Sequence, residues 1–323
     1  MIPTLNEEKI KKALDEKKAF LLAKKVFELI AQKKTQMPPK LYLNLPAGKV
    51  SNDFRAMPAF VGEKGEGVCG IKWVSVFPEN RREGLPTVHA TILLNSSKTG
   101  ALLAIFEANH ITAIRTAAAA AVATAFMANP RPAKLAIVGA GKQAEYQLRA
   151  MAGQFSFEEI GVWGFLSKEA ETFCARLRPQ FPHLHPFRQV RECVQEADVI
   201  VTCTPSRKPI LKKSWVKKGA HINAIGADAK GKEELDPKLL KSSRVVVDDW
   251  EQASHSGEIN VPISKGVISR RDIYAELSEV VSGQKKGRCG RSEITIFDST
   301  GLAVLDIYFA KYVYEHYFGR GQD

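Results

Sequence analysis

The chain has 323 residues, of which 45% are hydrophobic, and this length and composition predict two domains with ordinary hydrophobic cores. Its five cysteines are scattered without a Cys-x-x-Cys pair, and no run of about 18 uncharged apolar residues occurs, so we expect a cytoplasmic protein without disulfides, zinc or a membrane span. A net charge of +12 would suit nucleic acid, but the N-terminal lysines surround amphipathic helices without interleaved aromatic residues, which favours carboxylate substrates and phosphate-bearing cofactors instead.

The N-terminal third divides into a helical part and a strand-rich part. Residues 4–34 have helical spacing, and the segment Met37-Pro38-Pro39 ends that pattern. From 41 to 107 the pattern is that of β-strands, so we expect an α+β domain here. The clearest strand-like runs are 68–76, 89–94 and 102–106.

The remainder of the chain alternates between strands and helices. Residues 110–128 are rich in alanine and helical, and a last helix is expected over 301–318. Between them, short apolar runs alternate with helical segments, which predicts a parallel, doubly wound Rossmann sheet. The predicted strands are 135–138, 160–163, 198–203, 220–225, 244–248 and 294–297.

The most specific motif is Gly139-x-Gly141-x-x-Ala144, which follows an apolar strand and opens a helix. The first glycine permits a tight turn, the second lets backbone N–H groups approach a pyrophosphate, and the small third residue lets helix and strand pack closely. Because the start of a helix attracts phosphate, the motif predicts a dinucleotide site that includes Lys142 and Gln143.

Seven further segments carry recognisable patterns: 53–58, 70–80, 84–88, 112–118, 223–228, 231–235 and 297–301. They resemble the ornithine cyclodeaminase/mu-crystallin superfamily and follow its order from residue 37 onward. The resemblance implies a homodimer that pairs through sheets and acts on a small amino or keto acid with NAD or NADP. It also implies a dimerisation and substrate domain over 1–117 with 302–323, and a Rossmann dinucleotide-binding domain over 118–301.

Two cations match the substrate-binding positions of the family. Lys72 lies inside an apolar strand, and Arg115 lies at an otherwise apolar helix start. The resemblance implies that both hold the substrate carboxylate, and that Lys72 also transfers protons. The alternatives are a solvent-facing lysine in the strand and an intramolecular ion pair for the arginine.

Asp228 follows an apolar strand at the edge where doubly wound sheets bind ligands. In the family the matching aspartate contacts the substrate amine or a reacting water, so we predict a catalytic role for it. The alternative is a helix N-cap before Lys230. Further matches are Thr300 for the substrate, and Thr87, Thr116, Gly164, Thr204, Pro205, Lys232 and Ser299 for the cofactor.

Two departures from the family pattern bear on substrate and cofactor. Ornithine cyclodeaminases have a glutamate two residues before Met57-Pro58, whereas this chain has Arg55, which would repel a distal ammonium and favour a small keto acid. The segments 37–43, 54–58 and 255–261 resemble the alanine dehydrogenase branch of the family, typical of archaea, and Lys40 lies where other members have an arginine. Gly164 replaces the acid of NAD-using relatives and no arginine follows it, which favours NAD and leaves NADP open.

The resemblance therefore predicts reversible reductive amination of pyruvate to L-alanine. Its alternatives are an ornithine cyclodeaminase that forms proline and ammonia, a cyclic ketimine reductase, and a mu-crystallin-like ligand-binding protein without catalysis. His110 and His255 lack metal-ligand spacing to acids or cysteines, so we expect no metal ion.

Overall fold

A computed structural model of the chain divides into two compact units, which are described separately. Unit 1 contains Met1–Arg115 and Leu302–Asp323, and unit 2 contains Thr116–Gly301. The first boundary lies inside a long helix, Asn109–Met127. The structure describes residues 1–45, 52–63 and 66–319.

Unit 1 combines a mixed sheet with helices. In chain order its N-terminal part contains β1 (Thr4–Leu5), α1 (Glu7–Ala13), α2 (Glu16–Ala31), β2 (Thr35–Gln36), β3 (Leu41–Asn44), β4 (Asp53–Glu63), β5 (Glu66–Val76), a 3-10 helix (Pro78–Glu83), β6 (Val88–Ser96), β7 (Leu102–Glu107) and the start of α3 (Asn109–Met127). The sheet order is β1-β7-β6-β5-β4-β2, and β3 also pairs with β4. The β1–β7 pair is parallel, and the other pairs are antiparallel.

The N-terminal segment forms two helices instead of the single helical stretch predicted over 4–34. Asn6 caps α1 and Asp15 caps α2, because each side-chain oxygen accepts a hydrogen bond from a backbone N–H three residues further on. Leu14, between them, has an extended backbone. A new cap directly after an extended residue stabilises the start of a second helix, so the helical pattern is interrupted at this point.

Unit 2 contains the predicted parallel sheet, and that prediction is confirmed. Its eight-stranded sheet and accessory elements are, in chain order, β8 (Lys134–Val138), α4 (Lys142–Gln154), β9 (Glu159–Trp163), α5 (Ser167–Leu177), β10 (Leu184–Phe187), α6 (Val190–Val194), β11 (Val199–Thr202), β12 (Arg207–Leu211), β13 (His221–Ala224), β14 (Glu233–Leu235), α7 (Pro237–Lys241), β15 (Arg244–Val247), α8 (Trp250–Ser256), α9 (Asn260–Ser264), β16 (Ile273–Glu276), α10 (Leu277–Val281) and β17 (Thr295–Asp298). The last described helix, α11 (Ala303–Phe318), belongs to unit 1.

The order of the parallel sheet is β10-β9-β8-β11-β13-β17-β15-β16, and β12 pairs with β14 apart from it. In the sequence, β8 is the first strand of this sheet. The next strand, β9, pairs with one side of β8, and β11 pairs with its other side. The order therefore reverses at β8, and ligands of doubly wound sheets bind at such a reversal, beyond the carboxyl ends of the strands.

Helix α11 packs on the sheet of unit 1, and one glycine makes this approach possible. The helix contacts β4, β5 and β6. A Cβ atom at Gly70 would lie only 2.6 Å from Cδ1 of Ile307, so a larger residue in β5 would push the helix away. The inward-facing residue after Gly70 in β5 is Lys72, which is 1% exposed. The first turn of α11 is thus held against a buried lysine.

Helix α3 is long and apolar enough to cross a membrane by length and composition alone. However, 78% of its apolar window is buried within the fold. A core helix of this kind has the same composition as a membrane span, so its hydrophobicity is explained by packing.

Candidate functional site

Unit 2 offers a cradle for phosphate after β8. Gly139 has φ +129°, which side chains rarely allow, and a Cβ there would lie 2.9 Å from the carbonyl oxygen of Cys203. Gly141 caps α4 without a side-chain hydrogen bond, and no heavy atom lies within 4 Å of the place of its missing Cβ. The first N–H groups of α4 therefore adjoin open space, which fits the pyrophosphate of a dinucleotide.

The other predicted cofactor residues lie in both units, and most of them follow the strands of unit 2. Because β8, β9, β11, β13 and β17 run parallel, the loops that follow them lie at one edge of the sheet. Thr87 lies in unit 1, directly before β6, and Thr116 lies in α3. At the edge of unit 2, Lys142 and Gln143 begin α4, Gly164 follows β9, Thr204 and Pro205 follow β11, Lys232 precedes β14, and Ser299 follows β17.

Gly164 adjoins the glycine-rich loop closely. A Cβ there would lie 3.1 Å from Cβ of Glu169 and 3.2 Å from Cβ of Ala140, so any side chain at 164 would require a small shift of its neighbours. Phe165, by contrast, is 86% exposed. Neither residue supplies an acid for a ribose diol or a cation for a 2′-phosphate, as the sequence predicts.

Glu234 connects two loops of this edge, and the sequence analysis did not identify it. Its buried carboxylate accepts hydrogen bonds from Oγ1 of Thr202 at 2.6 Å, from the N–H and the hydroxyl of Thr204 at 2.7 Å each, and from the N–H of Gly226 at 2.9 Å. One side chain thus fixes the loop of Thr204 and the loop that leads to Asp228. No local sequence signal indicates this role, because the partners lie in separate βα segments.

Two more buried carboxylates continue from Glu234. Glu258 accepts from the N–H of Glu234 at 2.9 Å, and Asp298 accepts from the N–H of Glu258 at 2.9 Å. Burial raises the pKa of Asp298 to about 8 and raises the pKa of Glu258 well above its ordinary range. A Cβ at Gly257 would lie 2.6 Å from an oxygen of Asp298, so a glycine is needed beside this acid.

The loop after β17 is held by a further acid, Asp248. Its carboxylate accepts from the N–H of Thr300 at 2.6 Å, from the hydroxyl of Thr300 at 2.9 Å and from the N–H of Gly301 at 2.9 Å. The N–H of Ser299 donates to the carbonyl of Ala224. Ser299 and Thr300 are thus rigidly placed, with the hydroxyl proton of Thr300 directed at Asp248.

Asp228 does not cap a helix, so that alternative from the sequence is wrong. A turn and then β14 follow it. The Nζ of Lys232 donates to Oδ1 of Asp228 at 2.5 Å, and both side chains are partly exposed, at 18% and 35%. A partly exposed carboxylate can accept hydrogen bonds from ammonium or water.

Unit 1 brings Lys72 and Arg115 to a common partner, Asp306. The Nζ of Lys72 donates to Oδ2 of Asp306 at 2.6 Å, and Nε of Arg115 donates to Oδ1 at 2.9 Å. All three are buried, so the solvent-facing alternative for Lys72 is wrong, and the ion-pair alternative for Arg115 is what the structure contains. Asp306 was missed, although an acid in the otherwise apolar start of α11 is the same signal that singled out Arg115.

The environment of this triad shifts two pKa values downward. Burial lowers the pKa of Lys72 from 10.5 to about 7; Asp306 opposes this effect, and the charges of Arg115 and Lys40 add to it. Burial alone would raise the pKa of Asp306, but the two cations outweigh it and hold that pKa below its ordinary value. Lys72 can therefore gain and lose a proton near neutral pH.

The cation Arg55 has an acidic partner, Asp53. It is buried in β4, where Nε donates to Oδ1 of Asp53 at 2.6 Å and Nη2 donates to Oδ2 at 3.2 Å. Its guanidinium carbon lies 5.4 Å from the ring centre of Tyr42, in β3. Lys40 precedes β3 and acts electrostatically on Lys72. Because Asp53 compensates the charge of Arg55, repulsion of a distal ammonium is weaker than the sequence alone suggests.

Comparison with known proteins adds independent findings. The profile of the ornithine cyclodeaminase/mu-crystallin family matches residues 5–321. The alanine dehydrogenase of Archaeoglobus fulgidus is 43% identical over 314 residues, which cover 97% of this chain and 94% of that protein.

Two solved structures resemble the fold closely. An archaeal alanine dehydrogenase dimer with bound NAD has a TM-score of 0.92 and 42% identity, and the match covers 97% of this chain and 95% of that one. The Thermococcus litoralis Delta(1)-pyrroline-2-carboxylate reductase, in complex with NADH and L-proline, has a TM-score of 0.92 and 33% identity, and the match covers 100% of both chains.

Proposed function

We propose that this chain, which belongs to the ornithine cyclodeaminase/mu-crystallin family, is an NAD-dependent oxidoreductase of small amino acids, acting as an alanine dehydrogenase. The observation that carries the proposal is the pair of buried cations, Lys72 and Arg115, on one buried acid. Their sum is one positive charge, which a single substrate carboxylate would neutralise. Pyruvate and alanine each bring one carboxylate and no second charged group at the far end.

In the proposed reaction ammonia adds to the carbonyl carbon of pyruvate, water leaves, and the resulting imine is reduced at Cα to L-alanine. Arg115 would hold the carboxylate, and Lys72 would donate a proton to the departing oxygen, a role that suits a pKa of about 7. Asp228 would orient ammonia and water through hydrogen bonds. When bound, NADH supplies the hydride.

For the cofactor, the cradle between β8 and α4 would receive the pyrophosphate on the N–H groups of Lys142 and Gln143. Thr204 and Ser299, fixed by Glu234 and by the backbone of β13, are rigid candidates for contacts to the rest of the dinucleotide. The matched structures with NAD and NADH, and the missing cation at 164–165, support NAD over NADP.

We also propose a homodimer in the cytoplasm. The sheet of unit 1 packs one face on α11, while Trp73 and Leu93 on its other face are 41% and 36% exposed. The edge strand β3 adds Leu41 and Leu43, also exposed, and an apolar surface of this kind is typical of a protein interface. A matched relative forms a dimer. The five free cysteines suit a reducing compartment.

A second candidate, reduction of a cyclic imino acid, is favoured by the matched pyrroline-2-carboxylate reductase. Such a substrate brings the same single carboxylate and an already formed C=N bond, so it needs no ammonia. It would use Arg115 and Lys72 in the same roles.

One set of assays tests these proposals together. We expect NADH oxidation on addition of pyruvate and ammonia, and NAD reduction with L-alanine. NADH oxidation with pyrroline-2-carboxylate but none with pyruvate and ammonia would favour the second candidate. Proline and ammonia from ornithine with catalytic NAD would place the protein among cyclodeaminases. NADH binding without turnover of any of these compounds would contradict an enzymatic function.

A further inference from the structure

Asp306 is a buried charged residue of unit 1 to which the proposed reaction assigns no role. It is fully buried, yet it is held ionised by two cations and by its place in the first turn of α11, where the helix dipole favours a negative charge. Its partners come from β5 and α3, which lie 234 and 191 residues away in the sequence. An acid placed this precisely at a cost in desolvation suggests a role beyond packing.

We infer that Asp306 is a positioning residue that keeps Lys72 protonated and orients Arg115 to receive a substrate carboxylate. The inference rests on the proposed function, because it assigns these two cations to substrate binding and proton transfer. Asp306 itself is not expected to contact the substrate.

The hydrogen-bond pattern of Arg115 supports the orienting role. Of the three nitrogens of Arg115, only Nε donates to Asp306, and no residue in the described ranges accepts from the two terminal nitrogens. These two nitrogens form the edge of the guanidinium that can bind a carboxylate with two parallel hydrogen bonds. By holding Nε, Asp306 fixes the plane of the guanidinium and leaves that edge available.

The charges around Lys72 support the protonating role. Asp306 faces its Nζ from α11, Arg115 acts on it from α3, and Lys40 acts on it from the segment before β3. On the neighbouring strands, Met57 and Ile92 are its register partners and bring no charge. Among these groups Asp306 is the one anion, so without it Lys72 would lose its proton at lower pH.

The backbone of the sheet makes the arrangement possible. Gly70 lets Ile307 approach β5 to a distance that a Cβ would block. Asp306 is the neighbour of Ile307 in α11, and Lys72 is the next inward residue of β5 after Gly70. The close contact of helix and strand therefore sets the reach of Asp306 to Lys72.

The test compares the pH dependence of kcat/KM in the wild type, Asp306→Asn and Asp306→Glu, with whichever amino or imino acid the wild type turns over. In Asp306→Asn, the limb of the pH profile that follows the deprotonation of Lys72 should move to lower pH by about one unit or more. At a pH above this limb, the protonated fraction of Lys72 should therefore be roughly tenfold lower than in the wild type. Asp306→Glu keeps the charge, so its limb should stay near that of the wild type even if kcat/KM falls.

Glu258→Gln is the matched control. Glu258 is equally buried, but its carboxylate accepts from the backbone N–H groups of Glu234 and Leu235 in unit 2, so its loss should change stability without moving the limb. A limb that stays in place in Asp306→Asn, or that moves equally in Glu258→Gln, would overturn the inference.

A folding measurement covers the case in which Asp306→Asn is too unstable to assay. The urea midpoints of Lys72→Met, Asp306→Asn and the double variant form a cycle that needs no activity. If the two side chains act as a pair, the double variant should be less destabilised than the sum of the single ones. Additive losses would contradict the pairing, whereas an inactive wild type with a coupled cycle would contradict only the proposed function.

Discussion

The two units stabilise their buried acidic side chains with different partners, and the pKa values of these acids shift in opposite directions. In unit 1, Asp306 has two cationic partners at hydrogen-bond distance, and its pKa is lowered. In unit 2, Glu234, Glu258 and Asp298 receive hydrogen bonds from backbone N–H groups and hydroxyls, and their pKa values are raised. Burial acts on all of these acids, so the partner decides the outcome.

This difference bears on what the charged cluster of unit 1 and the buried acids of unit 2 can do chemically. A charged cluster with one excess positive charge can bind an anion and exchange a proton, and it lies in unit 1, which also contains Lys40 and Arg55. Buried carboxyl groups whose pKa values are raised cannot bind an anion. Glu234 fixes the loops after β11 and β13, which carry predicted site residues, and Asp298 fixes the turn between α8 and α9.

The largest expected effect comes from removing one cation of unit 1. Arg115→Ala should lower kcat/KM by roughly two to four orders of magnitude, mainly through a higher KM, because a charge-assisted bidentate contact is lost and the substrate is mispositioned. Steady-state kinetics of the acid substrate would measure it. Arg176→Ala, which removes an exposed arginine of unit 2, should leave the kinetics unchanged. Near-normal kinetics of a folded Arg115→Ala would contradict the proposed site.

The second prediction uses the opposite pKa shifts. Because the folded pKa of Asp306 is depressed, its contribution to stability is present above pH 4 and is lost as the pH falls through its folded value. The folded pKa of Asp298 is raised from 3.8 to about 8, so its contribution is present at low pH and is lost as the pH rises between these values.

Amide hydrogen exchange, corrected for intrinsic rates, can follow the two units separately. The protection factors of amides in unit 2 should fall as the pH rises from 5 to 8. A single titrating group can lower them by at most about tenfold per pH unit. Asp298→Asn should flatten that dependence and leave the pH dependence of α11 unchanged. An equal slope in wild type and variant would mean that Asp298 is ionised in the folded protein at neutral pH.

A third, smaller effect concerns the second ion pair of unit 1. Arg55→Gln leaves the buried carboxylate of Asp53 without its bidentate partner, which should improve the binding of ornithine as a competitive inhibitor by about tenfold. The double variant Asp53→Asn/Arg55→Gln removes both charges and should return the inhibition constant toward the wild type. Equal inhibition of all three proteins would show that this pair does not face the substrate.

The smallest expected effect concerns the ribose of the cofactor, for which Gly164 and Phe165 in unit 2 offer no charged side chain. The dissociation constants of NADH and NADPH, measured by fluorescence, should differ in the wild type by no more than roughly tenfold. Phe165→Asp, at an exposed position, should shift the ratio toward NADH. Gly164→Asp should do so with weaker binding of both, because its side chain would crowd Ala140. Strong preference for NADPH in the wild type would indicate that another residue binds its 2′-phosphate, and Lys168 is the first candidate.

The sequence by itself determined the fold class, six of the eight strands of the parallel sheet, the glycine-rich turn at Gly139 and the family. These features are local, because apolar periodicity and glycine in a tight turn depend on neighbours in the chain. Six of the eight strands in the parallel sheet of unit 2 begin and end within one residue of the predicted ones, whereas its edge strands β10 and β16 were not predicted. Where a cap intervened, at Asp15, the predicted helical stretch was divided.

Only the tertiary structure decided how the buried charges are paired. Lys72 and Arg115 were identified as candidates, but their partner Asp306 comes from a helix at the other end of the chain. Glu234 gave no local signal, and the compensation of Arg55 by Asp53 depends on their shared environment in β4. A pattern can mark a charge as costly to bury, but the group that balances it is set by which distant elements pack together.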